Sequence, residues 1–341
     1  MFDWLRALLK IGQPKVMATQ TKAASKTIVI MIDGTLSSLK HGHETNVGLV
    51  KRQLANVEDE NIRIYYEPGL QWTTWRSAWD VMTGNGIEHQ IRRAYGALAS
   101  WYEPGDRIIL VGYSRGAYAV RSLAGVIDRV GLLKRVNATD RQVRKAWNYY
   151  AYDPNGAGVF AQIYCHPHVP IAALGVWDTV KALGLRLPLL WRLTEGRHAF
   201  HNHRLGTCTE AGFQALALDE TRVAYSPVIW QGRDDWHGVL EQRWFEGTHS
   251  ELGGQLDGDV TYRGLSNLSL AWMLKCLSEK GLPLPEGWQG QLHLDPDLKT
   301  RGQRGRFRWL FLARKRRPWG RYRSEEIDLS VDHDHPARRN F

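Results

Sequence analysis

Cysteine is scarce in this chain of 341 residues, and the three that occur have no C-x-x-C spacing. They are Cys165, Cys208 and Cys276. An odd and scattered count argues against a disulfide framework and a zinc ribbon, and it favours folding in a reducing compartment. The chain also lacks a run of roughly 18 apolar residues, as a membrane span needs, and its first residues lack the apolar core and cleavage site of a secretory signal. We therefore expect a cytoplasmic location in the producing cell, with membrane association or export, if either occurs, proceeding without a signal peptide.

Hydrophobic residues make up 43% of the chain, which is enough for one large core. Residues 27–32 and 61–66 have the composition of strands, whereas residues 87–102 have a helical period. Between the two strands, Thr45 can cap another helix. Strands that alternate with helices predict an α/β fold, in which a mostly parallel sheet carries helices on both faces.

The composition also changes along the chain. Residues 1–26 form a short amphipathic stretch followed by a polar linker, and residues 27–290 contain the alternating strands and helices. Residues 291–341 are rich in Lys and Arg. We therefore predict an amphipathic N-terminal segment, one α/β domain and a basic C-terminal extension.

The motif G-Y-S-R-G at positions 112–116 is the most informative local signal. An apolar, β-branched run (106–111) precedes it, and a helical pattern (117–130) follows. In this strand-turn-helix context a G-x-S-x-G motif forms a nucleophile elbow, because its glycines leave room for a strained turn that exposes the serine hydroxyl. Ser114 is therefore the candidate nucleophile, and the fold prediction becomes α/β-hydrolase-like, with the elbow after a central strand.

A serine nucleophile needs a base and a group that orients the base, and α/β-hydrolases supply them in the chain order serine, acid, histidine. Asp178 ends the next strongly apolar run, and His249 follows a short strand-like run at 242–245. Asp219 is the alternative acid. Asp178 could also be an ordinary turn or cap residue, and His249 is one of thirteen histidines.

The same geometry predicts the donors that would stabilise an oxyanion. One is the backbone N–H of Arg115, directly after the nucleophile. The second should come from the loop after the first strand, where Gly34 and Thr35 are the candidates. Asp33 either orients this loop or is a turn residue without a part in the chemistry.

At these positions the chain resembles the α/β-hydrolase catalytic domain of the first class of type VI secretion lipase effectors. The resemblance extends over roughly residues 27–275 and implies that Ser114, Asp178 and His249 form the triad. It also implies a lipid ester as substrate, with a phospholipid acyl bond as one candidate, and an immunity protein as partner if the chain is an effector. Two departures lie outside the proposed chemistry, at positions 36–37 and 251–252. The segments that carry the resemblance are Ile32-Asp33-Gly34-Thr35, Gly112 to Tyr118, Gly175 to Val180, Ala215 to Glu220 and Trp244 to Ser250.

Positive charge is concentrated near the end of the sequence. The chain has a formal net charge of +10, and from Lys299 to Arg323 there are eleven Lys or Arg and no acid. Aromatic residues are interleaved with these cations, a composition that suits an anionic lipid surface. Nucleic acid is a weaker alternative partner, and a segment that is solvated or packs on the domain is the third interpretation.

Two further sets of residues bear on ligands. Tryptophans at 72, 75, 79 and 191 could line an acyl pocket or simply fill loop and core contacts. The histidine clusters around positions 41, 166 and 201 lack a matching distant pair, so we expect neither a metal nor a cofactor. The sequence thus predicts a serine esterase or lipase. The alternatives are a small-ester or thioester hydrolase, and a non-catalytic scaffold that docks on membranes or partners.

Overall fold

Seven parallel strands form one sheet. The computed structural model of the protein describes residues 25–70, 85–180, 204–302 and 313–338. The strands are β1 (Thr27–Ile32), β2 (Ile62–Glu67), β3 (Arg107–Tyr113), β4 (Ala173–Trp177), β5 (Ala211–Ala217), β6 (Val239–Phe245) and β7 (Glu325–Ile327). Their order across the sheet is β2-β1-β3-β4-β5-β6-β7. All carboxyl ends therefore meet at one edge, which is where ligands bind in open α/β sheets.

Helices connect the strands and cover the sheet. Within the described residues they are α1 (Asn46–Ala55), α2 (Asn85–Trp101), α3 (Arg115–Val130), α4 (Asp140–Ala151), α5 (Ala157–Tyr164), α6 (His249–Gly253) and α7 (Arg263–Glu279). Parallel strands need such crossover connections, because a tight hairpin can join only antiparallel neighbours.

The core is divided between the two faces of the sheet, as β1 illustrates. Ile28 and Ile30 point into a cluster with residues of α2, α3 and α4. Val29 and Met31 point to the other face, where they join residues of α1 and α7. Successive side chains of a strand alternate between faces, so a strand with all six residues buried requires helices on both sides. The predicted α/β fold is confirmed.

The predicted elements agree with the structure except at their ends. Thr45 caps α1 as expected, since its side-chain oxygen accepts a hydrogen bond from the N–H of Gly48 at 3.1 Å. The strand predicted at 61–66 lies at Ile62–Glu67, and the helix predicted at 87–102 lies at Asn85–Trp101. Ladder partners and helix caps, which depend on the neighbouring element, set these ends.

Part of the basic C-terminal region belongs to the sheet. β7 pairs with β6, and the indole N–H of Trp244 donates to the Glu325 carboxylate at 2.9 Å. Val331 packs in a cluster with Leu216 and Trp244. Earlier in this region, the N–H of Arg301 donates to the Glu251 carboxylate at 2.8 Å. Arg301, Glu325 and Val331 thereby lie beside β6 and the loop that follows it.

Within the described ranges, none of the helices combines the length and the apolar character required to cross a membrane. The amphipathic stretch predicted at the N-terminus lies outside these ranges, as does most of its linker.

Candidate active site

A strained turn joins β3 to α3, and Ser114 lies at its apex. Ser114 has φ 58° and ψ −119°, a conformation that residues with side chains rarely adopt. A Cβ added at Gly116 would lie 2.1 Å from the carbonyl oxygen of Ile32, and one at Gly112 would lie 2.7 Å from the Cα of Ala117. Both glycines are needed because the turn is wedged against its own helix and the end of β1.

Three of the expected side chains meet at this turn. The Nε2 atom of His249 lies 2.8 Å from the Ser114 hydroxyl oxygen, and its Nδ1 atom lies 2.5 Å from the Asp178 carboxylate. Ser114 is 7% exposed, His249 3% and Asp178 0%. A carboxylate beside Nδ1 favours the tautomer with its hydrogen there, which leaves Nε2 to accept from the serine hydroxyl. Such an arrangement can activate the hydroxyl for attack on a carbonyl.

Two different elements hold the acid and the base. Asp178 follows β4 with φ 41°, and its N–H donates to the carbonyl oxygen of Ala215 on β5 at 2.8 Å. His249 is the first residue of α6, where Thr248 and Glu251 form a capping box. The N–H of His249 also donates to the buried Glu220 carboxylate at 3.3 Å. Strand end and helix start therefore bring Asp178 and His249 together across the end of β5.

Aromatic rings lie on both sides of the imidazole. The Tyr113 ring stacks on it at 5.0 Å between centroids, and the Tyr225 ring lies against it at 4.8 Å. The Tyr113 hydroxyl donates to the His249 carbonyl oxygen at 3.1 Å. Burial raises the pKa of Tyr113 well above its usual value, so this hydroxyl stays protonated. These contacts restrict rotation of the imidazole.

Hydrogen bonds in the loop after β1 distinguish between Gly34 and Thr35, the two candidates for the second oxyanion donor. The N–H of Gly34 donates to the Asp33 carboxylate at 2.7 Å, so that donor is engaged. Asp33 also accepts from the hydroxyls of Thr45 and Tyr66, and burial raises its pKa to about 6 despite these hydrogen bonds. Thr35 donates its N–H to no acceptor among the described residues, while its carbonyl accepts from Gln255 at 3.0 Å. Thr35 is therefore the better placed of the two.

Arg115 is the first residue of α3 and directly follows Ser114. The first N–H groups of a helix have no partner within the helix and carry a partial positive charge. Burial lowers the pKa of the Arg115 side chain to about 10, so the guanidinium remains charged at neutral pH. The start of α3 thus provides a positive environment next to the Ser114 hydroxyl.

Arg317 is a member of the site that sequence reasoning placed only within the basic segment. Its two terminal nitrogens donate to the two oxygens of Asp178, at 2.6 and 2.9 Å, and its side chain is 4% exposed. Burial alone would raise the pKa of Asp178, but the charge of Arg317 and the hydrogen bond from His249 hold that pKa well below its usual range. The sequence around Arg317 contains no local signal that distinguishes it from the other cations of this segment.

The other sequence candidates lie elsewhere. Asp219 accepts from the N–H of Gly247 at 2.7 Å and contacts the imidazole of His335 at 3.1 Å, whereas His249 contacts Asp178. No group of three or more His, Cys, Asp or Glu that could hold a metal occurs in the part of the chain that the structure describes. The tryptophans at 72, 75, 79 and 191 and the histidines at 198, 201 and 203 lie outside that part.

Comparison with known proteins identifies a family, a relative by sequence and solved structures that are similar to this chain. Residues 26–276 match the family described as "T6SS, Phospholipase effector Tle1-like, catalytic domain". An uncharacterized protein of Saccharomyces cerevisiae is 28% identical, and the match covers 62% of this chain and 33% of that protein. The structure of the Tle1 effector bound to the VgrG spike from the type 6 secretion system has 17% identity and a TM-score of 0.39, covering 67% of this chain and 51% of that chain. An uncharacterized protein from Pseudomonas aeruginosa has 17% identity and a TM-score of 0.41, covering 76% and 46%.

The chain thus spans about a third of the yeast protein and about half of each solved chain. The family match covers well over half of this chain and includes Ser114, Asp178 and His249, but it ends before Arg317. The resemblance read from the sequence is confirmed, and the protein belongs to the family of T6SS phospholipase effector Tle1-like catalytic domains.

Proposed function

We propose that the protein is a serine hydrolase that cleaves carboxylic esters of lipids through an acyl-enzyme. The observation that carries this proposal is the buried hydrogen-bonded chain from Ser114 through His249 to Asp178. His249 takes the hydroxyl proton as Ser114 attacks the ester carbonyl, and Asp178 orients the imidazole and stabilises its charged form. The N–H groups of Arg115 and Thr35 would receive the oxyanion.

The second half of the reaction uses the same groups. His249 returns the proton to the departing alcohol, which leaves the acyl group on Ser114. Water then attacks the acyl-enzyme with His249 again as the base, and the fatty acid is released. Neither half needs a metal or a cofactor.

Family membership and surface charge both support a phospholipid as the substrate. The family is described as one of phospholipase effectors, and a phospholipid acyl ester would suit the chemistry of the site. Arg314, Lys315 and Arg316 are exposed and directly precede Arg317, whose side chain contacts Asp178. Anionic headgroups would be attracted to these cations.

An effector role is a further part of the proposal. The solved Tle1 effector is bound to a VgrG spike, and a similar secretion partner, together with an immunity protein, would apply to this chain if it is exported. Coexpression with the neighbouring gene product, followed by a pull-down and a toxicity assay, tests this part independently of the chemistry.

Labelling with a fluorophosphonate probe tests the mechanism, with wild type beside Ser114→Ala. We expect labelling of the wild type alone, and release of fatty acid from phospholipid vesicles by the wild type alone. Labelling accompanied by cleavage of only short esters would retain the nucleophile and exclude the phospholipase assignment. A folded wild type that does not label would contradict the serine mechanism and favour a non-catalytic scaffold.

A further inference from the structure

The segment that carries Arg317 is built into the edge of the site. The Lys315 N–H donates to the Thr221 carbonyl at 2.8 Å, and the Val223 N–H donates to the Ala313 carbonyl at 3.1 Å. The chain therefore runs antiparallel to the segment after β5. Arg316 and Pro318 are exposed on either side, whereas the Arg317 side chain turns inward.

The Arg317 guanidinium donates hydrogen bonds to four oxygen atoms. Besides both oxygens of Asp178, it donates to the carbonyl oxygens of Ala217 at 2.9 Å and Tyr225 at 2.5 Å. Asp178 in turn accepts from His249 and from the N–H of Ala217 at 3.3 Å. Two parallel N–H···O bonds fix the plane of a carboxylate as well as its position. The Asp178 oxygen that faces His249 is thereby held in one orientation.

We infer that Arg317 is a positioning residue for ester hydrolysis. It holds the Asp178 carboxylate against His249 and partly neutralises the negative charge of that carboxylate. This inference rests on the proposed function, since it assigns Arg317 a part in the same reaction. It also makes the segment after the matched residues 26–276 necessary for full activity.

Two effects follow from this role. Loss of the fork would let the carboxylate rotate away from Nδ1, and small misplacements of catalytic groups cost about 10²-fold in rate. Loss of the positive charge would also make protonation of the neighbouring imidazole easier, because the full charge of Asp178 would then act on it. A protonated imidazole cannot accept the Ser114 proton, so the variant should lose activity at a higher pH than the wild type does as the pH is lowered.

Several other charged or titratable groups surround His249, and each belongs to an element packed against the ring. Tyr113 and Tyr225 contribute their rings, and Glu220 accepts from the backbone of His249 while pairing with Arg222. The Tyr225 carbonyl also accepts from Arg317, so the comparison of Arg317→Ala with Arg317→Lys, which keeps the charge, shows whether a changed pH profile comes from the charge.

The test compares Arg317→Ala with Arg141→Ala, an exposed arginine on α4, using hydrolysis of a soluble short-chain ester from pH 5 to 9. We expect kcat of Arg317→Ala to fall by about 10²-fold at neutral pH and the acid limb of its profile to move up by about one pH unit. Millimolar guanidinium should restore part of the rate, whereas Arg141→Ala should match the wild type. A folded Arg317→Ala variant with wild-type kcat and profile, or one that guanidinium does not rescue, would overturn the inference.

Arg317→Lys covers the case in which Arg317→Ala does not fold. An ammonium keeps the charge but cannot form two parallel hydrogen bonds, so kcat should fall while the acid limb stays in place. Wild-type kcat in Arg317→Lys would refute the positioning role. Absence of probe labelling in the wild type would instead refute the proposed function itself, so the two failures are distinct.

Discussion

Substitution of Asp178 by Asn should destabilise the fold far more than loss of the nucleophile does. Asp178 is fully buried, and the Arg317 side chain opposite it is 4% exposed. Asp178→Asn leaves that guanidinium buried against a neutral amide, and removing one partner of a buried ion pair costs about 3–5 kcal/mol. With an unfolding entropy of about 2.1 cal/mol/K per residue, a chain of 341 residues loses about 1.4 °C of Tm per kcal/mol, so a decrease of roughly 4–7 °C is expected.

Thermal unfolding followed by circular dichroism measures this effect, with Ser114→Ala as the matched control. Ser114→Ala removes only the hydrogen bond to His249, which is worth about 1 kcal/mol, or about 1.4 °C in Tm. The double variant Asp178→Asn with Arg317→Met removes both charges and should recover part of the lost stability, because it leaves no buried charge without a partner.

The pH dependence provides a second measurement on the same variants. Since the pKa of Asp178 is lower in the folded state than its usual value, its charge stabilises the fold above about pH 4. That stabilisation decreases as the pH falls further, so the Tm difference between wild type and Asp178→Asn should narrow in acid. A Tm of Asp178→Asn equal to that of Ser114→Ala at neutral pH, or a double variant as unstable as the sum of the single changes, would contradict a stabilising role of the Asp178–Arg317 ion pair.

Two further predictions concern packing. Gly116→Ala should lower both Tm and the rate of probe labelling, because the added Cβ would lie 2.1 Å from a carbonyl oxygen at the end of β1. Gly158→Ala on α5 is the control, since a Cβ there meets nothing within 4 Å and should leave both unchanged or raise Tm slightly. Burial raises the pKa of the thiols, to about 11 for Cys165 and about 12 for Cys208 and Cys276. The native protein should therefore react slowly with a thiol reagent at pH 8 and fully in urea, and rapid native reaction would contradict this burial.

Local patterns account for most of what the sequence predicted. β1 is a run of apolar residues that is buried on both faces. Thr45 caps α1 through its hydroxyl, and residues with such a side chain are favoured at helix N-caps rather than in helix interiors. The surroundings of Ser114 combine a strand, two glycines and a helix within a few residues. Each signal arises from short-range sterics or hydrogen bonding, so it can be recognised without knowledge of the rest of the fold.

Arg317 shows why other parts could not be predicted. Its charge belongs to a composition that is equally compatible with a solvated tail or a lipid-binding surface, and its partner lies 139 positions earlier. The choice between Gly34 and Thr35 had the same difficulty, because it depends on which N–H the Asp33 carboxylate engages. Such contacts are set by how distant segments meet in three dimensions and leave no periodic pattern in the sequence.

The order of strands explains how these distant segments meet. Tyr113 on β3 is in register with Trp177 on β4, so Ser114 and Asp178 leave the sheet side by side, both with positive φ. β5 separates β4 from β6, and Ala217 at its carboxyl end donates to Asp178 and accepts from Arg317. Residues 313–317 pass this end of β5 before the chain adds β7 beside β6. The passage that completes the sheet is therefore the one that delivers Arg317 to the acid, and a variant that loses β7 pairing should lose the Arg317 contact with it.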